Sequence, residues 1–183
     1  MIITKTRRHS NSGFTLIELM IVVVIVAVLL GLVAPAFINV IRENQIRTQA
    51  SRIVSSLNLA RSTSAKENIA VMVCASADAA TCSADENDFR KGWLVYMDRD
   101  SNGVLTAGGD ELIRVYSGLP SGYFLVLENA STQITYYPDG STSGKETIVT
   151  CPSSRDNDKA WSVIVGAVGS PRMKRPDGVL NCS

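Results

Sequence analysis

Gly13-Phe14-Thr15-Leu16-Ile17-Glu18 opens the stretch that organises this chain, and an apolar run continues from it to Val33. From Phe14 to Val33 there are twenty residues and a single charge, Glu18. As an α-helix rising about 1.5 Å per residue, the run is roughly 30 Å long, the thickness of a bilayer's hydrocarbon core. A plain membrane anchor or a secretory signal would share that length. Glu18 sets this run apart, because a carboxylate costs about 2.5–3.5 kcal/mol at mid-membrane and less near an end. The flank is equally informative. Lys5, Arg7 and Arg8 precede the polar, small residues Ser10, Asn11, Ser12 and Gly13. No small-x-small cleavage site follows the run, as a secretory signal requires.

The hexapeptide between a basic leader and twenty apolar residues resembles the cleavage site of type IV prepilins and type II secretion pseudopilins. The resemblance covers the leader and the whole first helix. It implies that a membrane peptidase cuts after Gly13 on the cytoplasmic side. It also implies that the new N-terminal Phe14 is N-methylated and that the apolar helix is kept. In that family the glutamate faces the cationic N-terminus of a neighbouring subunit, so Glu18, costly alone, would be paired on assembly.

Composition bounds the remainder. The chain has 183 residues and a formal charge of +1. Without residues 1–13 it has 15 basic and 17 acidic residues, a net of −2, so any nucleic-acid contact must be a local patch. The 150 residues beyond Val33 suffice for one compact domain. The leader's cations stay cytoplasmic, which places the C-terminal domain across the membrane, in the periplasm of a two-membrane cell. Four cysteines suit that oxidising compartment, and none forms a Cys-x-x-Cys pair. Of three connectivities, Cys74–Cys82 and Cys151–Cys182 are expected. The first closes a short Ala/Asp-rich loop and the second ties the C-terminus to a strand, for roughly 2.5 and roughly 3.5 kcal/mol of loop entropy. The single histidine, His9, lies in the leader. Ser-His-Asp, Cys-His and histidine-metal chemistry are thereby removed from the mature chain. No nucleophile–base set is visible, so neither an enzyme nor a cofactor is expected.

Beyond the apolar run, Gly31 and Pro35 mark a kink rather than a helix end, because helical periodicity resumes after them. Ile46, Ala50, Ile53, Val54, Leu57 and Ala60 recur at helical steps, and no proline or glycine falls between Ala36 and Lys66. The charges Arg42, Arg47, Arg52, Arg61 and Lys66 read as a solvated face. After Asn68 the pattern changes to short β-rich runs. Strands are predicted near Ile69–Cys74, Trp93–Met97, Leu112–Tyr116, Tyr123–Leu127, Ile134–Tyr137, Thr147–Cys151 and Trp161–Val168. The fold class is therefore α+β: a long N-terminal helix, membrane span plus amphipathic half, packed on the antiparallel β-sheet of a small globular domain. The divisions are a leader at 1–13, the assembly half of the helix at 14–35, its amphipathic half at 36–67, and a β-rich periplasmic domain at 68–183.

Two stretches invite chemistry. Asp98-Arg99-Asp100-Ser101-Asn102-Gly103 looks like the start of a calcium loop, with Asp98, Asp100 and Asn102 as candidate ligands. The twelfth position, which needs a bidentate acid, is Gly109. A polar hairpin with Asn102-Gly103 in a tight turn is the preferred reading, and no metal is expected. The order Gly92-Trp93-Leu94-Val95-Tyr96-Met97-Asp98, then Asp110-Glu111-Leu112-Ile113-Arg114, resembles the FimT/FimU/GspH group of minor pilins and pseudopilins, as does Tyr137-Pro138-Asp139-Gly140 before a strand ending in Cys151. The basic tail Gly169-Ser170-Pro171-Arg172-Met173-Lys174-Arg175 partly matches the Gly-Arg-x-Arg motif of DNA-binding FimT proteins, with Ser170 where the first arginine should be. Arg172, Lys174 and Arg175 could contact phosphates, but no aromatic residue is interleaved to stack bases. A solvated basic turn is the preferred reading.

The resemblance implies a minor pilin that helps initiate and cap a type IV pilus. Its partners would be other minor pilins, the major pilin, a prepilin peptidase and the inner-membrane assembly platform. It would sit in the inner membrane and then on the cell-surface pilus. The alternatives are a DNA receptor for uptake at the pilus tip, and a type II secretion pseudopilin.

Overall fold

The computed structural model describes residues 14–85, 89–129, 131–154, 157–175 and 182. The leader, with Lys5, Arg7, Arg8 and Gly13, lies outside the described residues, as do the side chains of 32–37, 39, 126 and 157. Two compact units result, Met1–Ile41 and Arg42–Ser183.

One helix, α1, runs from Leu16 to Glu67. It starts on a side-chain cap: the Thr15 hydroxyl accepts the Glu18 backbone N–H at 3.3 Å. It stops where Asn68 turns left-handed (φ 55°), the usual conformation just past a helix C-terminus. Gly31 and Pro35 lie inside the helix, which does not end at either. In the second unit, Ile46, Ala50, Ile53, Leu57 and Ala60 are buried at helical spacing, as the sequence periodicity requires.

Among the described residues eight strands follow: β1 (Val71–Ala75), β2 (Gly92–Met97), β3 (Glu111–Ser117), β4 (Tyr123–Leu127), β5 (Gln133–Tyr136), β6 (Glu146–Pro152), β7 (Trp161–Val165) and β8 (Pro171–Lys174). They form two antiparallel sheets, not one, ordered β3-β2-β1-β5 and β4-β6-β7-β8. The predicted strand Trp161–Val168 stops at Val165, and Gly166 to Gly169 make a turn. Leu57 and Ala60 of α1, Val73, Trp93 and Ile134 of the first sheet, and Leu125, Ile148 and Val163 of the second share one apolar core.

The outer faces are also covered. On the first sheet, Met72, Cys74, Leu94 and Tyr96 pack under Cys82 and Leu105. On the second, Val149 and Cys151 pack with Ala160, Cys182 and Phe124. Each outer cluster contains one disulfide, Cys74–Cys82 or Cys151–Cys182. Strands β1, β2 and β6 are consequently buried on both faces, which is why β1 and β2, and β6 after Glu146, read as apolar or small-residue runs. Strand β3 is a sheet edge, mostly exposed, and carries the charges Glu111 and Arg114 that discourage stray pairing.

The turn ending at Gly169 abuts the Pro138-Asp139-Gly140 turn. Gly169 has φ 78°, and a Cβ there would lie 2.0 Å from the Gly140 carbonyl oxygen. Gly169→Ala should therefore destabilise the fold by about 3 kcal/mol, lowering the melting midpoint by roughly 6–12 °C. An unchanged midpoint by circular dichroism would mean the two turns do not meet this closely.

Candidate assembly and binding sites

The first candidate is the N-terminal part of α1. Thr15 and Glu18 stand at the cap and third helical positions, the Thr-x-x-Glu spacing of a capping box, and an acid in the first turn is favoured by the helix dipole. Glu18 thus has a local structural reason to be where it is, and the Thr-x-x-Glu spacing is its signal in the sequence. From Phe14 to Leu30 every large apolar side chain is between 46 and 83% exposed. A contiguous apolar surface of that extent marks an interface with lipid or protein. Among the described residues no helix is long and apolar enough to cross a membrane. The apolar run itself ends inside the stretch whose side chains fall outside the description.

The second candidate is the basic tail. It is not a solvated turn: Pro171–Lys174 is β8, paired with β7 from Ser162↔Lys174 to Val165↔Pro171. Proline is tolerated here because it opens an edge strand. Alternation turns Arg172 and Lys174 outward, while Met173 is half-buried against the core and reached by the Ser51 hydroxyl. Arg175 is engaged within the fold. Its guanidinium pairs with Glu43, donates to the Asp158 carbonyl at 2.9 Å, and lies 4.6 Å from the centre of the Trp161 ring. Arg47 approaches the same ring, at 5.5 Å. The three cations therefore do not form one free patch.

The third candidate is the acidic loop between β2 and β3. It is a wide loop from Asp98 to Asp110, not a two-residue turn at Asn102-Gly103. Asp98, 3% exposed, accepts the backbone N–H groups of Asn102 and Gly103 at 3.2 and 3.1 Å. Asp110 accepts those of Arg99 and Thr106. Asn102 spends its own oxygen on the Val104 N–H and its amide on Asp100 and Thr106. Asp98, Asp100 and Asp110 can each bring an oxygen within 4.8 Å of the others, so Asp110 stands where the sequence suggested Asn102. The loop's own N–H groups account for most of these oxygens without a cation. Above the loop's start, burial and the nearby carboxylates of Asp98, Asp110 and Asp100 push the Tyr96 phenol well above its ordinary value, and its hydroxyl donates to the Met72 sulfur at 2.8 Å.

Two of the arginines of α1, Arg52 and Arg61, depart from the expected solvated face, while Arg42 and Lys66 stay exposed. Arg52 donates to the Ser117 carbonyl at 2.7 Å and lies over Trp93. Arg61 donates to the carbonyls of Gly140 (3.1 Å) and Val168 (3.2 Å). They fasten the helix to the end of β3 and to the two abutting turns. The water-facing stripe between them is uncharged: Ser51, Ser55, Asn58, Ser62 and Ala65. In the other exposed loop, the hydroxyl and amide of Thr81 and the amide of Ala80 hold the Asp78 carboxyl far below the usual range.

Tyr136 lies beneath the Arg61 clamp, and burial pushes its phenol up to about 12 against a slight lowering by Arg61. The folded protein thus favours the neutral phenol. That contribution to stability is complete below pH about 10, the unfolded value, and is lost as pH rises through about 12. Difference titration of Tyr136→Phe at 295 nm should remove one late-ionising tyrosine. A missing transition near pH 10 instead would contradict this burial.

Comparison with known proteins agrees with this geometry. The family model for the type II transport protein GspH matches residues 49–169, and the prokaryotic N-terminal methylation motif matches residues 8–34. No curated protein matches the sequence. Among solved structures, the type IV minor pilin FimU of Pseudomonas aeruginosa is similar at 17% identity, over 75% of this chain and 92% of that one, with a TM-score of 0.54. The minor pseudopilin EpsH of the Vibrio cholerae type 2 secretion system is similar at 16% identity, over 73% and 98%, with a TM-score of 0.53. At such identities these two structures establish the shared fold. Through the match over its β-rich unit, with the methylation motif ahead of it, the chain belongs to the GspH family of pilin-like proteins.

Proposed function

We propose that this protein is a minor pilin: a structural subunit, not an enzyme, that helps initiate and cap a type IV pilus. On this reading a prepilin peptidase cuts after Gly13 and Phe14 is N-methylated. The subunit waits in the inner membrane with its β-rich unit in the periplasm, and then joins other minor pilins and the major pilin through the assembly platform. The observation that carries the reading is the uncovered apolar surface from Phe14 to Leu30, interrupted by Glu18 alone. Such a surface is stable in lipid and equally stable among like helices, so a subunit can exchange one for the other at little cost. Glu18 supplies registry, because its charge is neutralised only where a neighbour's cationic N-terminus meets it.

The type II secretion reading is favoured by the name of the matching family model and by the likeness to EpsH. It uses the same exchange of lipid for helices and differs in the assembly joined. The DNA-receptor reading has lost Arg175 to its internal contacts and now rests on Arg172, exposed on β8.

Glu18→Ala should leave the protein in the membrane fraction and reduce its recovery in sheared pili by about tenfold, the equivalent of 1.4 kcal/mol. Normal recovery would remove the registry role. Recovery of the wild-type chain with secretion-system fractions and not with pili would decide for the pseudopilin. A gel shift at low salt that disappears with Arg172→Ala would decide for DNA.

A further inference from the structure

Where the compact unit begins, Arg42 and Gln45 of α1 face the turn entering β4 and the end of β6 across a cleft of about 410 Å³. The turn is tightly made. Tyr123 N–H donates to the Pro120 carbonyl at 3.3 Å, Gly122 has φ 94°, and Ser153 N–H donates to the Gly122 carbonyl at 2.8 Å. The Tyr123 hydroxyl donates to the Gln45 side-chain oxygen, which leaves the Gln45 amide nitrogen as a donor. Ser121, Ser153 and Ser154 add hydroxyls to the lining.

Two features suit this cleft to an anion. It is rich in donors and has no carboxylate among its described lining residues. Its arginine is also uncommitted. Arg52 and Arg61 are spent on backbone carbonyls, and Arg175 on Glu43 and Trp161. Arg42 has no such partner among the described residues. A guanidinium beside hydroxyl and amide donors, without a competing acid, suits a phosphate oxyanion.

Chain position identifies the phosphate. Arg42 directly follows Ile41, at the end of a segment whose described apolar side chains, through Ile38, Val40 and Ile41, are exposed. It is also the first charged residue after Glu18, so where that segment lies in lipid Arg42 comes at its headgroup end.

We propose that the Arg42–Ser121–Ser153 cleft binds the phosphate of an anionic phospholipid headgroup and seats the β-rich unit on the membrane while the subunit awaits assembly. Extraction into a filament then requires release of that headgroup. This assignment rests on the membrane placement proposed above, and free phosphate is the other source of the same chemistry. The test uses the full chain in dodecyl maltoside micelles, titrated separately with dihexanoyl-phosphatidylglycerol and with inorganic phosphate. Amide shifts of Ser121, Gly122 and Ser153 are followed by nuclear magnetic resonance. The lipid should give saturable shifts at these amides, weakened about tenfold by Arg42→Gln and less by Arg42→Lys, with the remainder of the spectrum unchanged. Inorganic phosphate should bind more weakly at equal concentration. No shift, or shifts undiminished in Arg42→Gln, would overturn the site. Equal binding of inorganic phosphate would overturn the headgroup assignment. The titration reads binding without assembly, so its failure leaves the Glu18 experiment standing.

Discussion

An apolar helical surface that its own chain leaves uncovered is the constraint from which the rest follows. The second half of α1 buries Ile46, Ala50, Ile53, Leu57 and Ala60 against two sheets. The first half buries none of its described large side chains. Water is a poor neighbour for that surface, at about 25 cal/mol per Å². Something else must cover it, and the β-rich unit has no need of it for its own core.

That independence shows in how the second unit is closed. Both sheets bury both faces of their central strands. The inner faces take α1, and the outer faces take short loops tacked down by Cys74–Cys82 and Cys151–Cys182. Arg52 and Arg61 then fix the helix laterally by donating to carbonyls at the end of β3 and in the paired turns. The helix surface left between those arginines carries small, uncharged residues.

Much of this was legible in residue order because the signals are local. The run to Val33 and the face from Ile46 to Ala60 are periodic, and the apolar strands stand between turn residues. The split into two sheets was not legible, because pairing order depends on contacts far apart in sequence. Strand β8 was missed for a different reason: Pro171, Arg172 and Lys174 look like a turn, and the inward face carries only Pro171 and Met173. The arginine clamps left no trace because their acceptors are backbone carbonyls 65 to 107 residues away. The acidic loop was half legible. Asp98, Asp100 and Asn102 showed the turn chemistry, but the part played by Asp110 in closing the loop depends on its return to Arg99 and Thr106.

The central claim is that the apolar helix stays on the working protein. Intact-mass spectrometry of the chain recovered from its assembled state tests it most directly. The account predicts a mass beginning at a singly N-methylated Phe14. A chain beginning beyond Val33, or one still bearing residues 1–13, would contradict it.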